Sequence, residues 1–287
     1  MSDDERKLAD QTGRFAQVVR DGRKAADVEW IAGRILLSNR RIVLASDEGK
    51  RAIPLSELTG ITSRQDAANP LAKVSSYISL RTGDDVTLVS PAEHDAFEHR
   101  LYTAVLDQQA VLARHPAVEG GVVKDTDWEK GRLTVEEGDV GLALASGQFV
   151  EVDIDDVGSV ATQETEIRGE SRPVVEVEHT DEGTAVRTDV AGPGRRLGLL
   201  AGLLRKGEEK NTTDVELSEA ESEVLMALYS GVSPFRVPDF VGIEVDEAEA
   251  IYDQLVDQGI LERRRVRRDV SLKARGRHIA SEASGEE

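Results

Sequence analysis

The feature that most constrains the fold is an internal repeat with an offset of 98 residues. The pattern D-x-x-W-x-x-G-R-aliphatic occurs twice, in DVEWIAGRI and in DTDWEKGRL, and it contains both tryptophans of the chain. Self-similarity at a fixed offset indicates that one structural unit is duplicated. The markers of this repeat are Trp30, Gly33, Arg34, Trp128, Gly131 and Arg132.

Both copies continue with the signals of antiparallel strands. Two apolar runs are joined by a polar turn, at residues 38–40 in the first copy and 137–139 in the second. This pattern is typical of a β-hairpin. A third strand and a further strand pair follow at matched spacing in each copy. We therefore expect residues near 20–110 and 118–207 to superimpose as two copies of one fold.

A helix is predicted at the end of each copy. In the first, Ser90 is a candidate N-cap, Pro91 the first helical residue and Glu93 the partner in a capping box. An apolar stripe at helical spacing follows, formed by Phe97, Leu101, Ala104 and Val105. Residues 195–206 take the equivalent place in the second copy. This segment is rich in glycine for a capping helix, so the sequence does not fix where the second domain ends.

Several antiparallel strands followed by one helix indicate a pleckstrin-homology-like domain, and GRILLSNRRIVLAS resembles the GRAM branch of that superfold. The helix is expected to close the open end of a bent sheet. Trp30 and Trp128 are interpreted as mostly buried core residues rather than ligand contacts. Gly33 and Gly131 are expected to supply an unusual backbone angle where a strand begins.

The last segment changes to helical periodicity near residue 215. Ser218 and Glu221 form a capping box, and a short helix is predicted over 235–241. A stronger stripe over 248–256 ends before Gly259, and residues 263–270 follow as a candidate wing. Helix, helix, helix, wing and a last helix is the order of a winged helix-turn-helix domain.

Charge in this segment argues against the usual DNA-binding role of that fold. Contacts to DNA phosphates need cations on the recognition helix. The charged residues on the solvent face of the candidate recognition helix are all carboxylates, namely Asp246, Glu249, Asp253 and Asp257. The stretch 263–277 has a net charge of +7 in a chain of net charge −19. We favour docking of an acidic protein partner over DNA, with a solvated basic face as the plain alternative.

Composition excludes several classes of protein. The chain has no cysteine, no apolar run of transmembrane length and a charged start, so we expect a soluble cytoplasmic protein. The excess of 55 acidic over 36 basic residues is typical of a halophile's cytoplasm. No Walker loop, G-x-S-x-G, HExxH or metal-spaced histidine set is found. We expect no catalysis, cofactor, metal or small-molecule substrate.

The whole pattern resembles CheF, a family of archaeal taxis proteins. The resemblance rests on two W-x-x-G-R copies followed by a winged helix, and it is most specific over residues 21–58. It implies a non-catalytic adaptor that binds the response regulator CheY, other Che proteins and components of the archaellum switch. It assigns no contact residues. The alternative function is a winged-helix transcriptional regulator that binds DNA.

These observations predict an α+β chain of three domains. Residues 1–115 and 116–212 are the two pleckstrin-homology-like domains, and residues 213–287 are a winged helix with an acidic tail. Two sets of residues are candidate partner contacts. The first is the basic set Arg263, Arg264, Arg265, Arg267 and Arg268. The second supplies apolar contact area if part of its helix is exposed, and it comprises Leu199, Leu200, Leu203 and Leu204.

Overall fold

The structure is a computed structural model, and it describes residues 5–25, 28–64, 74, 76–181, 183–211, 217–261 and 263. The chain divides into two units, residues 1–215 and 216–287. Among the described residues, no helix is long and apolar enough to cross a membrane.

The first repeat is an antiparallel sheet followed by helix α1 (His94–Leu106). Its strands are β1 (Lys7–Arg20), β2 (Arg23–Lys24), β3 (Ile31–Ser38), β4 (Arg41–Ser46), β5 (Gly49–Pro54), β6 (Leu58–Arg64), β7 (Tyr77–Thr82) and β8 (Asp85–Pro91). Their order across the sheet is β5-β4-β3-β1-β8-β7-β6, and the short β2 pairs with β1.

The second repeat has the same arrangement, followed by helix α2 (Gly194–Asn211). Its strands are β9 (Ala110–Glu119), β10 (Val122–Val123), β11 (Glu129–Val135), β12 (Asp139–Leu144), β13 (Phe149–Asp153), β14 (Ser159–Ile167), β15 (Glu170–Asp181) and β16 (Thr184–Ala191). The order β13-β12-β11-β9-β16-β15-β14 repeats the first sheet strand for strand. Trp30 and Trp128 each stand immediately before the equivalent strands β3 and β11. The predicted duplication is therefore confirmed.

The central strand of each sheet precedes the repeat markers and was not predicted. Strand β1 pairs with β3 and β8, and β9 pairs with β11 and β16. The predicted boundary between residues 115 and 116 falls inside β9, whose partners all belong to the second sheet. In the structure, the passage from one repeat to the other therefore lies between the end of α1 and the start of β9.

The predicted start of helix α1 is wrong, whereas its apolar stripe is confirmed. Ser90 and Pro91 are the last residues of strand β8, and the helix begins at His94 without a side-chain cap. The Ser90 hydroxyl donates instead to the Ser76 carbonyl at 2.7 Å. The strand continues through Pro91 because its pairing with β1 extends to Gly13. Phe97, Leu101 and Val105 are buried, as the stripe predicts.

The two repeats share one apolar core. Helix α2 packs on β6 of the first sheet as well as on β14 and β15 of the second, and α1 contacts both α2 and β11. Glycines make this close packing of α2 possible. An added Cβ at Gly202 would lie 3.2 Å from the Ile61 carbonyl oxygen, and one at Gly207 would overlap the Ile154 carbonyl. The glycine-rich helix is therefore the element that joins the repeats.

The second unit contains three described helices, α3 (Glu219–Tyr229), α4 (Val237–Val241) and α5 (Val245–Asp257). The predicted capping box is confirmed, because the Ser218 side chain and the Glu221 side chain each bond the other residue's backbone N–H. The buried faces of these helices meet in one apolar cluster that includes Val224, Val237 and Leu255. The candidate wing lies outside the described residues, apart from Arg263.

Candidate interaction surfaces

The basic set begins with an arginine whose charge is already paired. The Arg263 guanidinium forms an exposed ion pair with Asp253 of α5. Arg264, Arg265, Arg267 and Arg268 lie outside the described residues, so the contact role of the basic set remains a proposal. An exposed pair contributes about 0–1 kcal/mol and is screened by salt, so Arg263 is readily available to another carboxylate.

The predicted acidic face of helix α5 is present. Asp246, Glu249, Asp253 and Asp257 are all exposed. The opposite face of the helix buries Ala248, Ile251 and Leu255. Residues 217–261 carry ten carboxylates and a single cation, Arg236. Phosphate groups would be repelled from such a surface.

The candidate leucines of helix α2 do not offer a surface. Leu199 is 1 %, Leu200 0 %, Leu203 6 % and Leu204 1 % exposed, and all four belong to the core that the two repeats share. The exposure that a partner contact requires is not observed. Their broad spacing around the helix arises because α2 packs against two sheets rather than one.

Exposed apolar side chains occur instead on the second unit. Among the described residues, nine large apolar side chains are exposed, and six of them belong to this unit. This exposed apolar set comprises Leu217, Met226, Tyr229, Phe235, Phe240 and Val245. Exposed aromatic and methionine side chains are typical of protein-binding surfaces. Met226 and Tyr229 of α3 and Phe240 of α4 lie off the buried faces of these helices, and this position was the signal available in the sequence.

The two marker tryptophans are half-buried rather than fully buried. The Trp30 ring lies 6.2 Å from that of Tyr77, and its indole N–H has no hydrogen-bond partner. Trp128 packs on Ile167, Val174 and Ala191, and the Arg114 guanidinium lies 5.2 Å from its ring centroid. Both tryptophans pack against their own repeat, but the prediction that they are mostly buried core residues is met only in part.

The marker glycines and arginines have structural contacts. Neither Gly33 nor Gly131 has a positive φ, so the expected unusual backbone angle is wrong. Glycine is needed at position 33 because an added Cβ would collide with the Ala45 carbonyl on the adjacent strand. The Arg34 guanidinium donates to Asp10 at 2.6 Å, and Arg132 donates to the Gln108 carbonyl at 3.4 Å.

A buried polar cluster lies on the inner side of the second sheet. The Thr188 hydroxyl bridges His115 Nδ1 at 2.7 Å and His179 Nε2 at 2.8 Å. Burial lowers the pKa of both imidazoles below the ordinary value, and the neighbouring Asp181 opposes this shift only in part. Both rings are therefore neutral at neutral pH, and the Thr188 hydroxyl that they contact is 0 % exposed, which indicates a structural role for the cluster.

Sequence reasoning overlooked one group of possible metal ligands. His94, Asp95 and Glu98 lie on the first turns of α1, and one ligand atom from each falls within 4.8 Å of the others. The Glu98 carboxylate accepts hydrogen bonds from Ser63 at 2.7 Å and from Lys206 at 2.6 Å. The spacing i, i+4 of His94 and Glu98 on a helix was the available signal.

Comparison with known proteins agrees with the resemblance seen in the sequence. The model of the family "Archaeal Chemotaxis signal transduction system protein F" matches residues 7–210, and a domain of unknown function matches residues 216–285. The chain is 49 % identical over 290 residues to "Taxis protein CheF1" of Halobacterium salinarum, with full coverage of both chains. It is 27 % identical to "Taxis protein CheF2" of the same organism, over 83 % of this chain and 85 % of that protein. Because the family model and the whole-length relative both match, the chain belongs to the archaeal CheF family of chemotaxis signal transduction proteins.

Proposed function

We propose that the chain is a non-catalytic cytoplasmic adaptor that links the response regulator CheY and other Che proteins to the archaellum motor switch. The observation that carries this proposal is the whole-length match to a protein named as a taxis protein. The exposed apolar set of the second unit supports it, because such side chains provide the binding energy of protein interfaces. The Thr188 hydroxyl is hydrogen-bonded to His115, but it is fully buried, so this contact does not support a catalytic role.

The adaptor is expected to bind the activated regulator more tightly than the resting one. A partner responds to a switch only if it contacts a face that differs between the two states. Isothermal titration calorimetry in molar potassium chloride, with CheY in the presence and absence of a phosphoryl mimic, measures this difference. Equal affinities would eliminate a state-selective adaptor, and no binding in either state would remove the assignment to CheY.

The basic set is the proposed contact for a carboxylate-rich face of the regulator. Its cations stand out in a chain of net charge −19. In molar salt the Debye length is about 3 Å, so charge pairs contribute little and the apolar set must supply most of the affinity. Replacement of Arg263, Arg264, Arg265, Arg267 and Arg268 by Ser should weaken binding modestly. The control replaces the exposed cations Arg20, Arg23 and Lys24 of the first unit, and it should leave the affinity unchanged.

The alternative function, DNA binding, depends on whether the second unit is a winged helix. The strand order with a terminal helix in each repeat supports a pleckstrin-homology-like fold, and the order of α3, α4 and α5 supports a winged helix. A winged helix would make the chain a DNA-binding regulator, but the exposed carboxylates of α5 oppose that function. A salt titration of binding to a fluorescent duplex tests the alternative. Sequence-dependent binding of the duplex at molar salt would favour the DNA-binding transcriptional regulator over the adaptor.

A further inference from the structure

We propose that His94, Asp95 and Glu98 form a binding site for a divalent transition-metal ion in the first unit. The site lies in a cleft of about 590 Å³ between the two repeats. Helix α1 and strand β6 of the first repeat form one wall. The β11–β12 turn and helix α2 of the second repeat form the other.

The geometry of the three side chains fits an ion. Nitrogen and oxygen ligands lie about 2.0–2.2 Å from zinc, so in a tetrahedral site two ligand atoms are about 3.3–3.6 Å apart. The ligand atoms of His94, Asp95 and Glu98 already lie within 4.8 Å of one another. Rotations about the side-chain χ angles need to shorten these separations by at most about 1.5 Å to complete the set. Glu136 and Glu137 of the facing turn line the same cleft but do not belong to the ligand group.

A second observation points to a ligand at the same place. Both ring nitrogens of His94 are buried, and neither has a hydrogen-bond partner. A buried polar group without a partner is costly, and such groups in native structures call for an explanation such as an ion. A metal ion bound to one ring nitrogen would provide it. His99 lines the same cleft but does not belong to the ligand group.

The electrostatics of the cleft favour a cation. Its lining includes Lys206 and Lys210 and three times as many carboxylates, which are Asp95, Glu98, Glu136, Glu137, Asp155 and Glu209. The N-terminus of α1 contributes about half a positive charge, which is small against this excess. Ser63 and Lys206 fix the orientation of Glu98, as outer partners of a metal ligand commonly do. Each carboxylate oxygen retains a lone pair for the ion.

The ligand types select the class of metal. One imidazole with carboxylates suits zinc and its first-row neighbours rather than calcium or magnesium, which take oxygen ligands alone. The probe is therefore Zn²⁺, titrated calorimetrically into the chelator-treated full chain. Molar potassium chloride suppresses diffuse binding to the many surface carboxylates, because charges beyond about 3 Å are then screened.

Three variants locate the site, and circular dichroism checks that each is folded. His94→Gln removes the nitrogen ligand and should weaken Zn²⁺ binding about 100-fold or more, since even outer-partner changes cost about 10–100-fold. Asp95→Asn alters an exposed side chain, so it is expected to fold and to bind measurably more weakly. His99→Gln is the matched control from the same helix and cleft, and it should bind as the wild type does.

The proposal is supported by one Zn²⁺ per chain in the wild type together with this order of variants. It is overturned if the wild type shows no saturable binding in molar salt, or if His94→Gln binds as tightly as the wild type. An equal loss in His99→Gln also overturns it. If His94→Gln does not fold, unchanged affinity in Asp95→Asn decides against the site. None of these readings depends on the adaptor function.

Discussion

The Lys206 ammonium of helix α2 donates to the Glu98 carboxylate of helix α1 at 2.6 Å, and this pair joins the two repeats of the first unit. The Glu98 side chain is only 4 % exposed, whereas that of Lys206 is 35 % exposed. The carboxylate also accepts a hydrogen bond from Ser63 of strand β6. The duplicated domains are therefore connected by polar contacts as well as by their common apolar core.

Lys206→Met should destabilise the first unit by about 1–3 kcal/mol. The change keeps the apolar stem but leaves a buried carboxylate with one partner fewer, and an unsatisfied buried group costs about that much. The free energy of unfolding in denaturant measures the effect. Lys210→Met is the matched control, because its ion pair with Asp155 is exposed and should contribute under about 1 kcal/mol. Equal effects of the two changes would contradict the argument.

Glycine-to-alanine changes along α2 should stabilise the protein at one position and destabilise it at another. Alanine favours a helix over glycine by about 1 kcal/mol, and at Gly198 the nearest atom to an added Cβ is 3.9 Å away. Gly198→Ala should therefore stabilise. At Gly207 the Cβ would overlap the Ile154 carbonyl, so Gly207→Ala should destabilise by more than about 2 kcal/mol. Thermal unfolding of both variants tests this, and a stabilised Gly207→Ala would contradict the close packing of α2 on the 154–156 turn.

The duplication and the helical stripes could be predicted from the sequence, whereas the central strands could not. Strand β1 buries only the small residues Ala9 and Ala16, and β9 buries Ala113 and His115 among its inner positions. Alternation of small or polar inner residues gives little hydrophobic periodicity. The burial of the α2 leucines could not be predicted either, because it depends on contacts with the first sheet. The hydrogen bond from Arg195 to the Leu55 carbonyl, which spans 140 residues of the chain, illustrates this distance.

The two tryptophans should differ in their contribution to stability. Trp128 packs in an apolar cluster and under the Arg114 guanidinium, whereas Trp30 has an aromatic neighbour and an unpartnered indole N–H. Full burial of tryptophan contributes about 3–5 kcal/mol relative to alanine, and half-buried rings contribute less. We expect Trp128→Ala to cost about 2–3 kcal/mol and Trp30→Ala about 1–2 kcal/mol in denaturant unfolding. The reverse order would contradict this reading of the two sites.

The histidine pair should make the first unit less stable in mild acid. The folded-state pKa of His115 and of His179 is below 6.5, chiefly because burial disfavours the charged ring. The unfolded state therefore takes up protons first as the pH falls through about 6.5, at up to about 1.4 kcal/mol per pH unit for each ring. The facing carboxylates Asp181, Asp156 and Glu119 reduce this loss without reversing it.

The measurement is the free energy of unfolding between about pH 7.5 and pH 5, where histidine titrates. The double variant His115→Gln, His179→Gln should flatten the dependence in this range. Carboxylates begin to take up protons at the acid end of this range, and the difference between the wild type and the double variant removes their contribution. If the wild type loses no more stability toward acid than the double variant does, the pKa values of the two rings are not lowered in the folded protein and the argument fails.

The exposed apolar set of the second unit should carry the affinity for the activated response regulator. Tyr229 is 66 % and Phe240 is 68 % exposed, so replacing both by Ser should leave the folded unit intact. Aromatic side chains are enriched among the minority of interface residues whose truncation costs more than about 1 kcal/mol, and the loss of two such contacts predicts at least a tenfold weaker complex. Calorimetry with CheY carrying a phosphoryl mimic, in molar salt, gives the affinity.

The matched control is Phe149→Ser, which removes a 55 % exposed aromatic ring from strand β13 of the first unit. The control should bind as the wild type does. If Phe149→Ser loses affinity and the double variant does not, the regulator binds the first unit, and the apolar side chains of the second unit serve a different partner of the adaptor.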